Sequence, residues 1–170
     1  MLITEDQYIN RLKNTLQDND NEKVLDEGFF EWEVNNWNSL RVFEVSPTFN
    51  IGNYTWKIAL LPTGYNDGYE DYVSLYLGNH DVENNDNLNV YGSFVFAMRN
   101  CNDYSYYRIE KTTGIECFNK NNDEHHFPKF IKKKELFMKN KKTNKSLVEN
   151  NKVVISVYLR VYKKGKTKSK

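Results

Sequence analysis

The sequence predicts an all-β protein, an antiparallel β-sandwich of roughly seven or eight short strands that follows one short helix. From residue 28 onward, apolar residues alternate with polar ones, which is the period of a strand that buries one face. Clusters of turn-forming residues separate these segments. A chain of 170 residues is long enough for one domain with a sizeable core. We therefore predict a single sandwich over residues 28–162.

A helical pattern occurs at the N-terminus. Thr4 and Gln7 have the spacing of a capping box, in which each side chain bonds to the backbone of the other residue. The apolar residues that follow fall on one helical stripe: Tyr8, Ile9, Leu12 and Leu16. These features predict an amphipathic helix over residues 5–17, within a helical leader of residues 1–27. The sequence leaves open whether this helix packs on the domain.

The clearest strand pair lies between Ser46 and Leu77. Trp56, Ile58 and Leu60 share one face of a strand that Pro62 ends, and a turn-rich loop follows. A second alternating strand then runs from residue 72 to 77. A hairpin alone is only marginally stable, so this pair must pack against a second sheet. We expect Trp56 to lie in the core between the two sheets.

The remaining strands are predicted by the same alternation. They are Phe30–Val34, Arg41–Val45, Val90–Met98, Tyr104–Ile109, residues 115–118 and Val153–Tyr162. Residues 119–126 are polar and predict a loop. Apolar residues among the lysines of residues 130–137 predict a short helix or a bent segment with one buried side. The lysine-rich residues 163–170 predict a disordered basic tail.

The composition excludes several classes of protein. No apolar run approaches the roughly 20 residues that a membrane-spanning helix needs, and the N-terminus lacks the pattern of a secretory signal. Two cysteines, Cys101 and Cys117, are too few for a disulfide scaffold. We therefore expect an intracellular protein, in the cytoplasm or the nucleus, with no membrane partner.

Charge is divided unevenly along the chain, although the formal net charge is +1. Residues 120–170 contain 16 Lys and Arg against 4 Asp and Glu, a net of +12, whereas residues 1–119 contain 8 against 19, a net of −11. This split fits two solvated surfaces and a basic tail. It also leaves open a surface for nucleic acid or another polyanion.

The chemistry-bearing residues form no catalytic or metal-binding pattern. His80, Cys101 and Cys117 lack the closely spaced ligand pairs of a structural zinc site. A cysteine protease would also need a thiolate, a histidine and an orienting group assembled in a cleft. We therefore predict no catalytic residues, no metal and no cofactor, and we do not expect the chain by itself to be an enzyme.

Several sequence landmarks follow one another in a fixed order. They are Trp32, Trp37, Ser46-Pro47-x-Phe49, Trp56-Lys57-Ile58, Pro62-x-Gly64, Val73-Ser74-Leu75-Tyr76-Leu77, Phe94-x-Phe96 and Phe127-x-x-Phe130-Ile131. In this order they resemble the MATH (TRAF-homology) domain over residues 29–162. The segment of residues 30–40 is most similar to the N-terminal MATH domain of ubiquitin-specific proteases. Residues 71–77 also resemble the substrate adaptors of cullin ubiquitin ligases.

The resemblance implies an antiparallel, eight-stranded sandwich that binds short extended peptides of other proteins in a shallow groove. Family members build much of this groove from an Asp-Trp-Gly-Phe motif. Here the matching residues are Glu124, His125, His126 and Phe127, and only Phe127 is identical. Aromatic residues at Tyr76, Phe94 and Phe118 complete the implied peptide-binding set.

Two functions follow from these observations. In the first, the chain is a peptide-recognition module of the ubiquitin system, either as the targeting part of a deubiquitinase or as a stand-alone adaptor of a ubiquitin ligase. In the second, its basic C-terminal half binds nucleic acid or another polyanion. We expect peptides rather than nucleic acid. The adjacent His125 and His126 predict a groove whose affinity for acidic peptides rises as the pH falls from about 7.5 to about 6.

Overall fold

The computed structural model describes residues 2–16 and 22–163. Within them it contains one α-helix, α1 (Glu5–Thr15), and ten β-strands. The strands are β1 (Val24–Val34), β2 (Glu44–Val45), β3 (Phe49–Ile51), β4 (Tyr54–Leu61), β5 (Tyr72–Asn79), β6 (Val90–Asn100), β7 (Asp103–Lys111), β8 (Glu116–Phe118), β9 (Glu124–Lys132) and β10 (Val153–Tyr162). Two 3-10 turns complete the structure: a first 3-10 turn (Trp37–Ser39) and a second 3-10 turn (Lys133–Phe137).

The strands form two antiparallel sheets of five strands each. Sheet A has the order β1-β10-β6-β7, and β8 also pairs with β6. Sheet B has the order β2-β4-β5-β9, and β3 also pairs with β4. The predicted all-β sandwich with a short N-terminal helix is therefore confirmed. The strands that the sequence did not predict are β3, of three residues, and β9, of nine.

The core between the sheets is built around the β4–β5 hairpin. Ile58 pairs with Leu77 and Leu60 pairs with Leu75, so both strands direct aliphatic side chains inward. Trp56 is fully buried, and its indole N–H donates a hydrogen bond of 3.0 Å to the carbonyl oxygen of Ile51. The expected core position of Trp56 is confirmed.

Helix α1 packs across the outer face of sheet A, which answers the question that the sequence left open. Its capping box between Thr4 and Gln7 is present. The buried side chains of the helix contact Val95 and Ala97 of β6 and Tyr158 of β10. Every residue of β10 is consequently buried, although its alternation predicted a strand with one solvated face.

The main error of the sequence prediction concerns residues 119–126. These residues do not form a continuous loop, because β9 begins at Glu124 and pairs with β5. Pairing between backbones, rather than an apolar alternation, makes this segment a strand. Phe130 and Ile131 continue β9, and the predicted helix or bent segment is the second 3-10 turn that follows it.

Two further boundaries differ from the sequence-based prediction. Strand β1 begins at Val24, inside the predicted helical leader, because this residue pairs with Tyr162 of β10. Residues 41–43 are not part of β2. The predicted disordered tail lies outside the described residues from 164 onward, and the Lys163 N–H donates to the carbonyl oxygen of Lys23 at 2.9 Å.

Candidate peptide-binding site

The residues predicted for the groove lie on two different surfaces. Successive side chains of an extended strand point to opposite faces. In β9, Glu124 and His126 therefore lie on the outer face of sheet B, whereas His125 and Phe127 point toward the interior. Tyr76 of β5 pairs with His126 and shares its outer face.

The predicted residues that point into the interior pack against the inner face of β9. Phe94 and Phe118 are fully buried. The ring of His125 meets Phe118 edge-on, with centroids 4.5 Å apart, and Phe127 meets Phe94 at 5.6 Å. Because Phe94 and Phe118 expose no surface, they do not line a groove that is open to a ligand. Their role here is to position the residues of β9.

His125 also connects β9 to β8. Its Nε2 atom lies 2.7 Å from the carbonyl oxygen of Cys117, and its Nδ1 atom lies 3.4 Å from a carboxylate oxygen of Glu116. Both ring nitrogens therefore face groups of the chain itself. His125 and His126, which the sequence analysis assigned to one groove, lie on opposite faces of the strand, and only His126 faces outward.

The outer face of sheet B carries a row of four side chains that are direct neighbours across four strands. The row consists of Val45, Ala59, Tyr76 and His126. The His126 ring stacks on Tyr76 with centroids 4.9 Å apart and an interplanar angle of 26°. The row thus forms a shallow apolar and aromatic strip, which we call the outer strip.

Tyr65 covers one end of the outer strip and was not predicted from the sequence. Its ring is stacked with His126 at 5.7 Å and tilted against Tyr76 at 5.9 Å, and half of the residue is exposed. It lies in the loop between β4 and β5, where Gly64 has a φ of +89°. A Cβ atom at Gly64 would collide with the carbonyl oxygen of Tyr69. The turn-forming residues of this loop predict a turn. They do not predict that the loop folds back onto the outer face of sheet B and places Tyr65 against His126.

The hydroxyl group of Tyr76 is buried and has no hydrogen-bond partner among the described residues. An unsatisfied buried polar group costs about 1–3 kcal/mol, so it requires an explanation. Burial raises the pKa of Tyr76 to about 12, with Tyr65 and Glu124 adding to the effect. The hydroxyl group therefore keeps its proton at neutral pH.

A row of charged side chains borders the outer strip. Lys57, Gly78 and Glu124 are neighbours across β4, β5 and β9. Lys57 extends past the small Gly78, and its Nζ atom lies 2.9 Å from a carboxylate oxygen of Glu83. The carboxylate of Glu124 thus borders the outer strip. The neighbouring Lys57 forms its ion pair with Glu83 instead.

The pKa values of Glu124 and His126, both on β9, are shifted toward the neutral forms of these side chains. Desolvation raises the pKa of Glu124, and the negative charge of Asp123 raises it further. Desolvation lowers the pKa of His126, and the neighbouring His125 lowers it further. At neutral pH the His126 ring is therefore uncharged, and the strip offers aromatic surface rather than a cation.

Strand β9 is the edge strand of sheet B. It pairs with β5 on one side, and within residues 2–16 and 22–163 no strand pairs with its other side. Alternate backbone N–H and C=O groups of an edge strand point away from the sheet and can pair with an added strand. The outer strip therefore ends at an edge where an extended peptide has backbone groups to bind.

The described residues form no metal site, no disulfide and no membrane-spanning helix. Among the described residues, no group of three or more His, Cys, Asp or Glu side chains could hold a metal ion. Cys101 and Cys117 are free thiols. No helix in the described part of the chain is long and apolar enough to cross a membrane.

The described residues thus form two packed antiparallel sheets, with an aromatic strip beside one edge strand. A family model of the MATH domain matches residues 29–159, and the chain belongs to the MATH domain family. The solved structure of TRAF5 from Notothenia coriiceps has a similar fold, with a TM-score of 0.54. The two are 14% identical, and the match covers 84% of this chain and 76% of that chain. No curated protein sequence matched the chain.

Proposed function

We propose that this chain recognises other proteins of the ubiquitin system by binding short extended peptide segments across β5 and β9. The observation that carries the proposal is the stack of Tyr65, His126 and Tyr76 beside the unpaired edge of β9. Membership of the MATH family supports a role in protein interaction. No other part of the chain enters this argument.

The geometry indicates how such a peptide would be held. Its backbone would add to β9, and alternate side chains would point onto the outer strip. There an apolar or aromatic side chain would stack on the half-exposed Tyr65 and on His126, above the buried Tyr76. Because His126 occupies the position of a glycine in the family motif, the peptide meets an imidazole ring instead of bare backbone.

The proposal is tested by measuring peptide binding to single variants. His126→Ala and Tyr65→Ala are expected to weaken the affinity for a selected peptide about tenfold, since aromatic stacking contributes about 0.5–1.5 kcal/mol beyond area burial. His80→Ala and Phe43→Ala are matched controls, because both residues are exposed and lie outside the stack. Equal losses in the controls, or no selection from a peptide library, would contradict the proposal.

The pH dependence follows from the lowered pKa of His126. A protonated His126 would attract an acidic peptide, but its pKa lies below the usual 6.5. Acidic peptides are therefore expected to bind more tightly only when the pH falls below the usual imidazole pKa of about 6.5, and neutral peptides are expected to show no such change. The pH effect should disappear in His126→Ala and persist in His80→Ala.

Within the ubiquitin system the chain could have either of two roles. One is a targeting domain like that of a deubiquitinase, and the other is an adaptor of a ubiquitin ligase. In either form, we propose that the chain itself is not catalytic. It should not hydrolyse a fluorogenic ubiquitin substrate. Turnover that disappears in Cys101→Ser or Cys117→Ser would contradict this expectation.

A second candidate function is polyanion binding. A cavity of about 560 Å³ beside β7 is lined by Arg108, Lys139, Lys141 and Lys142, with Glu135 as the single acidic residue among the described residues that line it. Affinity for heparin or single-stranded DNA should then fall steeply with salt. Charge reversal at Lys141 and Lys142 should remove the binding, and charge reversal at Lys120 should not.

A further inference from the structure

A second concave surface lies between the two 3-10 turns. Buried Trp37 and Leu136 form its floor, Val42 and Phe137 form its rims, and its volume is about 300 Å³. We call this surface the 3-10 groove. It contains none of the residues of the outer strip and does not include Tyr65, so it is a separate feature of the molecule.

The rims of the 3-10 groove expose large apolar side chains. Val42 is 71% exposed and Phe137 is 53% exposed. Exposed apolar residues that flank a concavity are typical of interaction sites rather than of ordinary surface. The volume lies at the low end of the roughly 300–1,000 Å³ of ligand pockets, which suits one large side chain rather than a whole cofactor.

The polar part of the 3-10 groove is positively charged. Among the described residues that line it, none is acidic, whereas Arg41 and Lys133 are basic. Arg41 is already paired, with its Nη2 atom 3.2 Å from a carboxylate oxygen of Glu44. Lys133 has no ion-pair partner within the described part of the chain. It is therefore the cation that is available to a ligand in the groove.

The positive charge continues beyond the groove. Lys133 also lines a neighbouring cavity of about 320 Å³ together with Lys132, Lys134 and Asp71. Neither Lys132 nor Lys134 has an ion-pair partner among the residues that the structure describes. Three lysine ammonium groups and one carboxylate therefore line the cavity next to the 3-10 groove, which gives it a net positive charge.

We propose that the 3-10 groove binds a short acidic segment of a partner protein. One large apolar side chain of that segment inserts between Val42 and Phe137, and an anionic group next to it contacts Lys133. A carboxylate and a phosphorylated side chain offer the same oxygen acceptors, so either can supply the anion. Single-stranded nucleic acid is the poorer fit, because its bases stack on aromatic platforms, and one rim of this groove is aliphatic.

The probe is a panel of fluorescein-labelled peptides of about ten residues, long enough for one extended segment. Each carries a central phenylalanine that is flanked by glutamate, phosphoserine, serine or lysine, and a further peptide has a central serine flanked by glutamate. The first two peptides are expected to bind at least about tenfold more tightly than the others. Whichever of these two peptides binds more tightly shows whether the groove prefers a carboxylate or a phosphate group.

Variants of the full chain locate the site. Phe137→Ser and Lys133→Glu should each weaken the preferred peptide about tenfold. Met138→Ser and Lys23→Glu are matched controls, because both residues are exposed and neither lines the groove. Thermal melts should show all four variants folded. His126→Ala should leave this binding unchanged, which separates this proposal from the site on the outer strip.

Several results would overturn the proposal. One is equal affinity for glutamate-flanked and lysine-flanked peptides. Another is an equal loss in Lys23→Glu and Lys133→Glu, which would indicate a general electrostatic field. A third is self-association in sedimentation experiments that Phe137→Ser abolishes, which would make a second copy of the chain the occupant. Binding to phosphatidylserine vesicles without binding to any peptide would assign the groove to membranes instead.

Discussion

The outer face of sheet A is covered, whereas the outer face of sheet B is open. On sheet A, the Tyr8 hydroxyl of α1 donates to Ser156 at 2.8 Å, and the Ser156 hydroxyl donates to Glu31 at 3.1 Å. Arg99 adds two hydrogen bonds to the same carboxylate, at 2.9 and 3.0 Å. On sheet B, the Tyr76 hydroxyl is just as enclosed but has no partner among the described residues.

The two outer faces differ in whether their buried polar groups are paired. Tyr8 and Tyr76 are both buried against their sheets, but among the described residues Tyr8 has a hydrogen-bond partner and the Tyr76 hydroxyl has none. A face whose polar groups satisfy one another stabilises the fold and has little left for a ligand. On sheet B the ring of Tyr65 is half exposed, and it is there that we propose a peptide binds.

The largest expected effect comes from the core that both faces share. Trp56→Ala should lower the free energy of unfolding by about 3–5 kcal/mol, because a fully buried indole leaves a cavity and an unpaired carbonyl. Urea unfolding followed by fluorescence measures this. Trp32→Ala, at a half-buried tryptophan, should cost clearly less. A melting temperature within a few degrees of the wild type would refute the core position of Trp56.

The second largest loss of stability is expected from a substitution on the covered outer face of sheet A. Arg99→Ala leaves the Glu31 carboxylate unpaired in a largely buried site, which should cost about 3 kcal/mol in urea unfolding. Arg108→Ala, at an exposed arginine, should change stability by less than about 0.5 kcal/mol. If the two variants were equally stable, the network on sheet A would not hold that face together.

A pH experiment sharpens the role of the covered face. Burial alone would raise the pKa of Glu27, but hydrogen bonds from Lys13, Tyr158 and Arg160 lower it to about 2. Because this folded-state value lies below the usual 4.5, the stabilisation is present above about pH 4.5 and is lost as the pH falls toward about 2.

Glu27→Gln should therefore destabilise the protein at pH 7, by about 1–2 kcal/mol after allowance for solvent screening. The difference from the wild type should shrink steadily as unfolding is measured at lower pH. Glu33→Gln, at an exposed glutamate whose nearest lysine Nζ atom is 3.8 Å away, is the control. A constant difference between pH 7 and pH 3 would mean that Glu27 acts through packing and not through its charge.

The smallest expected effects compare the two tyrosines directly. Tyr8→Phe removes a buried hydrogen bond and should cost about 1 kcal/mol of stability. Tyr76→Phe removes a hydroxyl without a described partner and should be neutral or slightly stabilising. Differential scanning calorimetry of both variants tests this. Equal destabilisation would show that the Tyr76 hydroxyl is satisfied within the folded chain.

The sequence was sufficient for the parts of the fold that depend on local periodicity. The alternation around Ile58, Leu75 and Val157 predicted inward faces that the structure confirms. It could not predict β9, because Glu124, His125 and His126 are polar and become a strand only by pairing with β5. Long-range backbone pairing has no local signal of this kind.

The candidate site was predicted only in part, for a related physical reason. A residue set taken from a sequence motif does not record on which side of the sheet each side chain lies. The buried Phe94 and Phe118 therefore entered the set, although they support the site from below. Tyr65 was missed, because its contact with His126 depends on how the loop after Gly64 folds back onto the sheet.

The most direct test of the account is to map a bound peptide by NMR. Amide shifts of ¹⁵N-labelled protein are followed while a library-selected peptide is added. We expect the largest changes along β9 and at Tyr65 and Tyr76, with α1 and the covered face of sheet A unchanged. Changes centred on α1, β6 and β7 would contradict the account, because they would place binding on the face whose polar groups are already paired.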